Sequence, residues 1–232
     1  MDRILTILFF GIIYSYASAQ NPSNEPPEKL SIYSRPAGDT LKSFFVKKQP
    51  PYLYTVNLNH RGSSLWNKMV RGNFYVMGYN IGMGTYLILA PEYVTKWHKK
   101  DKFQLTSILH QYEESFTKPP VIDKDLFVVN YIGHPYQGGY YYNAVRSQGA
   151  TFLQSSLFCI GQSLLWEYGW EGGMEQPSIQ DLLTTPLAGI LVGELSHVVT
   201  IKMGKNGFRW YEIALVCIIN PTFAINNRFK FR

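Results

Sequence analysis

The sequence predicts a mainly α-helical protein, on three observations. Long apolar segments carry small residues at four-residue spacing, and glycines and prolines punctuate them where helices would end. Strand-like alternation is confined to two short stretches. The expected centre is an antiparallel hairpin of two apolar helices, with short strands only at the N-terminal side and in the C-terminal tail.

Four regions are expected along the chain: a signal peptide at 1–19, a proline-rich lead-in at 20–51, an N-terminal helical and irregular region at 52–124, and a helical core with a strand-like tail at 125–232. Arg3, the apolar run Ile4 to Ile13 and the small residues Ala17-Ser18-Ala19 follow the order of a secretory leader. That run is shorter than the ~20 residues a permanent membrane anchor needs. The chain is therefore expected to be exported. The lead-in carries Pro22, Pro26, Pro27, Pro36, Pro50 and Pro51 and has little apolar content for a core.

Tyr52 to Asn59 alternates as a short strand would. From Leu65 to Trp97 the pattern favours helix, broken at Pro91, with Gly78, Gly82 and Gly84 marking close packing or irregularity. Phe103 to Phe116 reads as an amphipathic helix ended by Pro119-Pro120. Asn130 to Pro135 reads as a turn into an aromatic segment, Tyr140-Tyr141-Tyr142, which closes at Arg146.

The first core helix is expected from Thr151 to about Tyr168, with Ser155, Cys159, Ser163 and Glu167 on one face. A loop containing Gly169, Gly172 and Gly173 leads to the second, from Ser178 to about Ile201. Here Asp181, Thr185, Gly189, Gly193 and His197 recur every four residues, and Ser178 with Asp181 forms a capping-box-like start. Pro186 is expected to bend this helix near Leu182. Stripes of small residues let backbones approach closely, a device favoured in apolar surroundings. The two stripes are therefore expected to pack on each other, with Cys159 near Gly189. Gln154, Gln162 and Glu194 argue equally for an ordinary soluble core.

The chemistry divides between two ends. Glu167, Glu171, Glu175 and Asp181 fall at the loop end, where buried like charges need an offsetting cation, base or solvent. Glu167 stands out because it closes an apolar helix beside Trp166. Glu194 lies 13 residues beyond Asp181, about 20 Å along the helix. It is expected to pair with Arg146, with His134 as a third member. Glu167 and Asp181 are thus the candidate acid and base; His134, Arg146 and Glu194 the candidate ligand-binding set for a phosphate or headgroup; and Glu167, Glu171 and Asp181 the candidate metal ligands. His197 reads as a packed histidine. No cofactor is expected, a divalent cation being the alternative.

The net charge of +6 is scattered apart from Lys96, Lys99, Lys100 and Lys102, so nucleic-acid binding is not indicated. Cys159 and Cys217 sit in apolar segments and are expected as free thiols, without the spacing of a metal site. No G-x-S-x-G, H-E-x-x-H, P-loop or dinucleotide motif occurs.

Several ordered motifs remain. His134-Pro135, Gly138, Tyr141-Tyr142 and Arg146 are followed by Ser163 to Tyr168, Glu171, Glu175 to Ser178, Asp181-Leu182, Thr185-Pro186, Gly189 and Gly193-Glu194. Together with Asn220-Pro221 and Asn226 to Arg228, they resemble the family catalogued as domain of unknown function 3943, over roughly residues 125 to 228. The resemblance implies an exported protein in the periplasm or outer membrane of a Gram-negative bacterium and supplies no reaction. The order E…PS-x-x-D…G-x-x-x-G is also loosely similar to VanZ-like membrane proteins. Longer members of the first family continue into a region resembling an outer-membrane β-barrel. The tail here, Phe223 to Phe231, alternates as one strand that would need a partner edge.

The expectation is a non-enzymatic envelope protein associated with the outer membrane, with the membrane or an outer-membrane protein as partner. Two alternatives stand beside it: a membrane-proximal enzyme acting on lipid or glycan by carboxylate acid–base chemistry, and a scaffold that binds a divalent cation.

Overall fold

The computed structural model describes residues 63–95, 97, 104–122 and 124–231, all within the compact unit Tyr52–Arg232. The expected signal peptide, the lead-in, the strand at Tyr52 to Asn59 and the basic run from Lys96 to Lys102 lie outside the described residues. Among the described residues the protein is mainly α, as the sequence predicts. Eight helices follow in order: α1 (Leu65–Leu89), α2 (Glu92–Thr95), α3 (Leu105–Thr117), α4 (His134–Arg146), α5 (Phe152–Leu165), α6 (Ile179–Gly204), α7 (Trp210–Ile219) and α8 (Pro221–Asn226). Two π-helical turns are built in: Val129–Gly133 feeds α4, and Trp166–Glu171 extends α5. No strand forms among the described residues. An isolated bridge between Val121 and Ser178 ties the chain ahead of α4 to the start of α6.

Side chains fix the helix starts as read from sequence. Thr151 and Gln154 form a full capping box on α5, and the Ser178 side chain accepts from the Asp181 N–H at 3.1 Å. Pro91 separates α1 from α2. Pro186 sits inside α6, which continues past it to Gly204.

Residues 134–146, read from sequence as a turn and an aromatic segment, form α4. Gly138-Gly139 lowers helix propensity there and hid the element. Pro135 takes a first-turn position, where its missing N–H costs nothing. It offers no donor to the preceding carbonyls and its ring crowds them, which accounts for the wider π turn ahead.

α5 and α6 form the expected antiparallel hairpin, but α4 packs against both stripes and alters their contact. α4 and α6 run parallel with a constant offset of 51 positions: His134 meets Thr185, and Gly138 meets Gly189. A Cβ on Gly138 would sit 1.9 Å from the Thr185 carbonyl oxygen, and one on Gly189 would sit 2.4 Å from Gly138 Cα. The next step of the same register seats Tyr142 on Gly193. On the other side, the Cys159 thiol donates to the Gly138 carbonyl at 3.3 Å. The small residues of α5 and α6 thus converge on α4. Gly78 and Gly82 of α1 have open space around them, contrary to expectation, whereas Gly72 packs against Val145.

The tail is also corrected. Phe223 and Ile225 belong to α8, capped by Asn220, and Arg228 and Phe229 take positive φ. This reversal folds Phe231 back onto Phe208 and Phe223. A local apolar cluster overrides the strand-like alternation.

Around two buried apolar clusters, three helices bury stripes of mostly small or polar residues and expose large apolar side chains. The inward stripes are Lys68, Gly72, Val76 and Asn80 on α1, Ser155, Cys159, Ser163 and Glu167 on α5 with its π extension, and Asp181, Thr185, Gly189 and Gly193 on α6. Phe74, Met77 and Ile81 of α1, Phe152, Leu153 and Leu157 of α5, and Leu187, Leu191 and Leu195 of α6 face outward. Hydrogen bonds satisfy much of the interior. Gln162 donates to Asn73 at 2.7 Å, Tyr141 to Asn80 at 2.7 Å, and Asn143 to the Gly193 carbonyl at 3.0 Å.

Two glycine substitutions should part in sign. Gly189→Ala forces the α4–α6 backbones apart and should destabilise by about 3 kcal/mol, in the range of severe overpacking. Gly78→Ala adds a methyl in open space on an exposed helix face and should stabilise by about 0.5–1 kcal/mol. Denaturant unfolding of both variants under the same conditions measures the contrast.

Candidate functional site

The register of α4 on α6, with α5 antiparallel to both, brings three side chains to the loop end of the bundle. His134 stands at the start of α4, Asp181 in the first turn of α6, and Glu167 in the π turn that extends α5. Each is buried, and each contributes a donor atom to a group lying within 4.8 Å of one another. His134 Nε2 lies 3.4 Å from Asp181 Oδ1. Its Nδ1 is 2.9 Å from Thr185 Oγ1, one turn beyond Asp181 on the same face, which holds the ring plane.

Glu167 is fixed from the backbone side. Its Oε2 accepts the Ser178 N–H at 3.2 Å. Sequence assigns the reciprocal half of the α6 capping box to Asp181. The observed partner of that N–H is Glu167, while the Asp181 side chain turns to His134. A cap shared between two helices thereby joins α5 to α6. Ser163, one turn before Glu167 on the same stripe, has a fully buried hydroxyl with no hydrogen-bond partner among the described residues.

Glu171 and Glu175 lie in the following turn, half-buried. Glu171 is within electrostatic range of Glu175, Glu167 and Asp181, and faces the Trp166 indole. All four carboxylates therefore share the loop end as read from sequence, but the position assigned to Glu171 in the metal set is taken by His134. α3 covers this end: Tyr112 donates to the Gly169 carbonyl and Ser115 to the Gly172 carbonyl, at 2.5 and 2.8 Å. A cavity of about 400 Å³ beside it is lined by Thr106, Ser107, His110, Gln111, Gly173 and Met174, none of them in the cluster.

The opposite end holds the basic group. Arg146 makes a two-point contact with Glu194, Nε to Oε2 at 2.8 Å and Nη2 to Oε1 at 2.9 Å. The Tyr142 hydroxyl donates to the same carboxylate, and Arg146 Nη1 reaches the Ala150 carbonyl at 3.0 Å. His134 is not a member of this group: it lies three helical turns away at the other end of α4. The set His134, Arg146 and Glu194 is therefore split, and no phosphate site is assembled from those three. His197 is half-buried on α6. Cys159 and Cys217 are free thiols.

The sequence reading missed Tyr142, Thr185 and Ser178 as partners at these two ends. Thr185 and Ser178 were visible in the α6 pattern, and Tyr142 lies one turn before Arg146. The missing information was that residues 134–146 are helical.

Residues 119–222 match the family model described as domain of unknown function (DUF3943), the family the motifs resemble. No curated protein and no solved structure matches the chain.

A double-mutant cycle with Arg146→Met and Glu194→Gln should return a coupling of about 2 kcal/mol. The two-point geometry strengthens the pair, and side-chain exposures of 22% and 27% hold it below a fully buried one. Unfolding free energies of the four proteins supply the value.

Proposed function

We propose that this chain, whose residues 119–222 belong to the domain of unknown function 3943 family, is a non-enzymatic envelope protein embedded in a lipid membrane, with the outer membrane as its site. One observation carries the reading: the bundle turns polar and small side chains inward and apolar side chains outward. In water such a surface is unfavourable at about 25 cal/mol per Å²; in lipid it is the expected arrangement.

α6 supports it by length and exposure. Its 26 residues span about 39 Å. Only 28% of its most apolar stretch is buried, unlike the central helix of a soluble domain. On α1, the exposed Trp66 and Tyr86 stand 20 residues apart, about 30 Å, which matches the hydrocarbon thickness of a bilayer. Aromatic residues favour those two boundaries. Exposed large apolar side chains run over α1, α5, α6 and α7. A leader peptide, read from sequence, directs the chain to the envelope.

The reading as a lipid- or glycan-processing enzyme has less support. Glu167 and Asp181 do meet, but both are buried and neither lines the cavity beside α3.

Fractionation of cells expressing the full chain tests the proposal. The protein should sediment with outer membranes and resist a salt wash; a soluble periplasmic monomer would overturn it. A second test uses Leu191, 72% exposed on α6. Leu191→Lys would be nearly neutral in water. In lipid it should cost about 3 kcal/mol and deplete the protein from membranes.

A further inference from the structure

We infer that His134, Glu167 and Asp181 bind one first-row divalent cation, Zn²⁺ by the chemistry of the donor set, with a fourth position left for water. This site is independent of the membrane reading.

Geometry comes first. Zinc bonds of about 2.0–2.2 Å in tetrahedral arrangement set the ligand atoms about 3.4 Å apart. His134 Nε2 and Asp181 Oδ1 stand at 3.4 Å. That separation is long for a charge-assisted hydrogen bond, which closes to about 2.7–2.9 Å. All three donor atoms fall within 4.8 Å of one another, so a shift of about 1 Å completes the set. The three come from three helices locked by the α4–α6 glycine contact and the Glu167–Ser178 bond, so the cluster is preformed.

The surroundings are those a metal ligand needs. A ligating imidazole commonly engages its other nitrogen, which fixes the ring; Thr185 Oγ1 occupies that place. A ligating carboxylate is itself hydrogen-bonded; Ser178 N–H holds Glu167. The Ser163 hydroxyl is an independent sign. It is fully buried on the Glu167 stripe and without a hydrogen-bond partner among the described residues. A buried polar group in that state calls for a water or ion.

The donors select the ion. One imidazole with two carboxylates suits borderline metals, whereas Ca²⁺ takes six to eight oxygens and Mg²⁺ seldom binds nitrogen. Among first-row ions Zn²⁺ accepts a four-coordinate site without geometric preference of its own.

The test uses tag-free full-length protein in detergent, stripped with chelator and dialysed with Zn²⁺ alone. Elemental analysis should find one Zn²⁺ per chain, with a raised Tm. His134→Gln and Asp181→Asn should weaken binding at least tenfold, and Glu175→Gln should bind as wild type. Co²⁺ in the wild-type protein should give the intense visible bands of a tetrahedral site. Loss of Zn²⁺ on dialysis, undiminished binding by folded His134→Gln, or preference for Ca²⁺ or Mg²⁺ overturns the site. If His134→Gln fails to fold by circular dichroism, the wild-type Co²⁺ spectrum decides, and absence of tetrahedral bands overturns it.

Discussion

The contact between the backbones of α4 and α6 at Gly138 and Gly189 determines the arrangement of everything around it. Two helices this close cannot slide, because each step past the glycines drives a side chain into a main chain. The register therefore repeats without slack: His134 on Thr185, Gly138 on Gly189, Tyr142 on Gly193. A slip of one residue would carry His134 away from Asp181 and Arg146 away from Glu194 at once. Both polar centres of the molecule are consequences of one steric fit in the middle of the bundle.

The same fit explains why the interior tolerates so much polarity. Helices that touch through glycine, serine and cysteine leave little volume between them, so few large apolar side chains are needed to fill it. Buried polar side chains outnumber buried hydrophobic ones among the described residues. They are tied in pairs across helices: Gln162 with Asn73, Asn80 with Tyr141, Thr200 with Asn220. Each pair fixes the rotation of one helix about its axis, which an apolar contact does less sharply. Many large apolar residues of α1, α5 and α6 are displaced to the outside, while Trp166, Tyr141, Tyr142 and Phe208 stay buried.

Much of this was legible because it rests on periodicity. The α5 and α6 stripes, the Ser178 cap and the break at Pro91 follow from spacing along single helices, and the Arg146–Glu194 pair from the antiparallel register of the hairpin. What sequence concealed was α4. Asn130 to Pro135 reads as a turn by local preference, the two adjacent glycines beyond it lower helix propensity, and only the partner on α6 makes those glycines an asset. With α4 unseen, the small-residue stripes had each other as the nearest target, and His134 had no reason to lie near Asp181. The tail failed for a related reason: Phe223 and Phe231 alternate as a strand would, but three-dimensional contact with Phe208 decides their conformation.

The parallel course of α4 and α6 has an electrostatic cost, since it sets their N-termini side by side and adds their positive partial charges. The charged residues are distributed as that cost requires. Asp181 occupies the first turn of α6, and Glu167 approaches the same N-terminus to take the Ser178 N–H. Carboxylates thus gather where two helix dipoles favour them, despite repelling one another. At the far end Arg146 closes α4, where a cation is favoured, and Glu194 neutralises it laterally. The basic end is internally balanced by this pairing. At the acidic end two buried carboxylates share one imidazole and a pair of helix N-termini, with two further acids at the margin. Parallel packing therefore makes the ends unequal: one is a closed ion pair, and the other is a collection of anionic donors whose natural complement is positive charge.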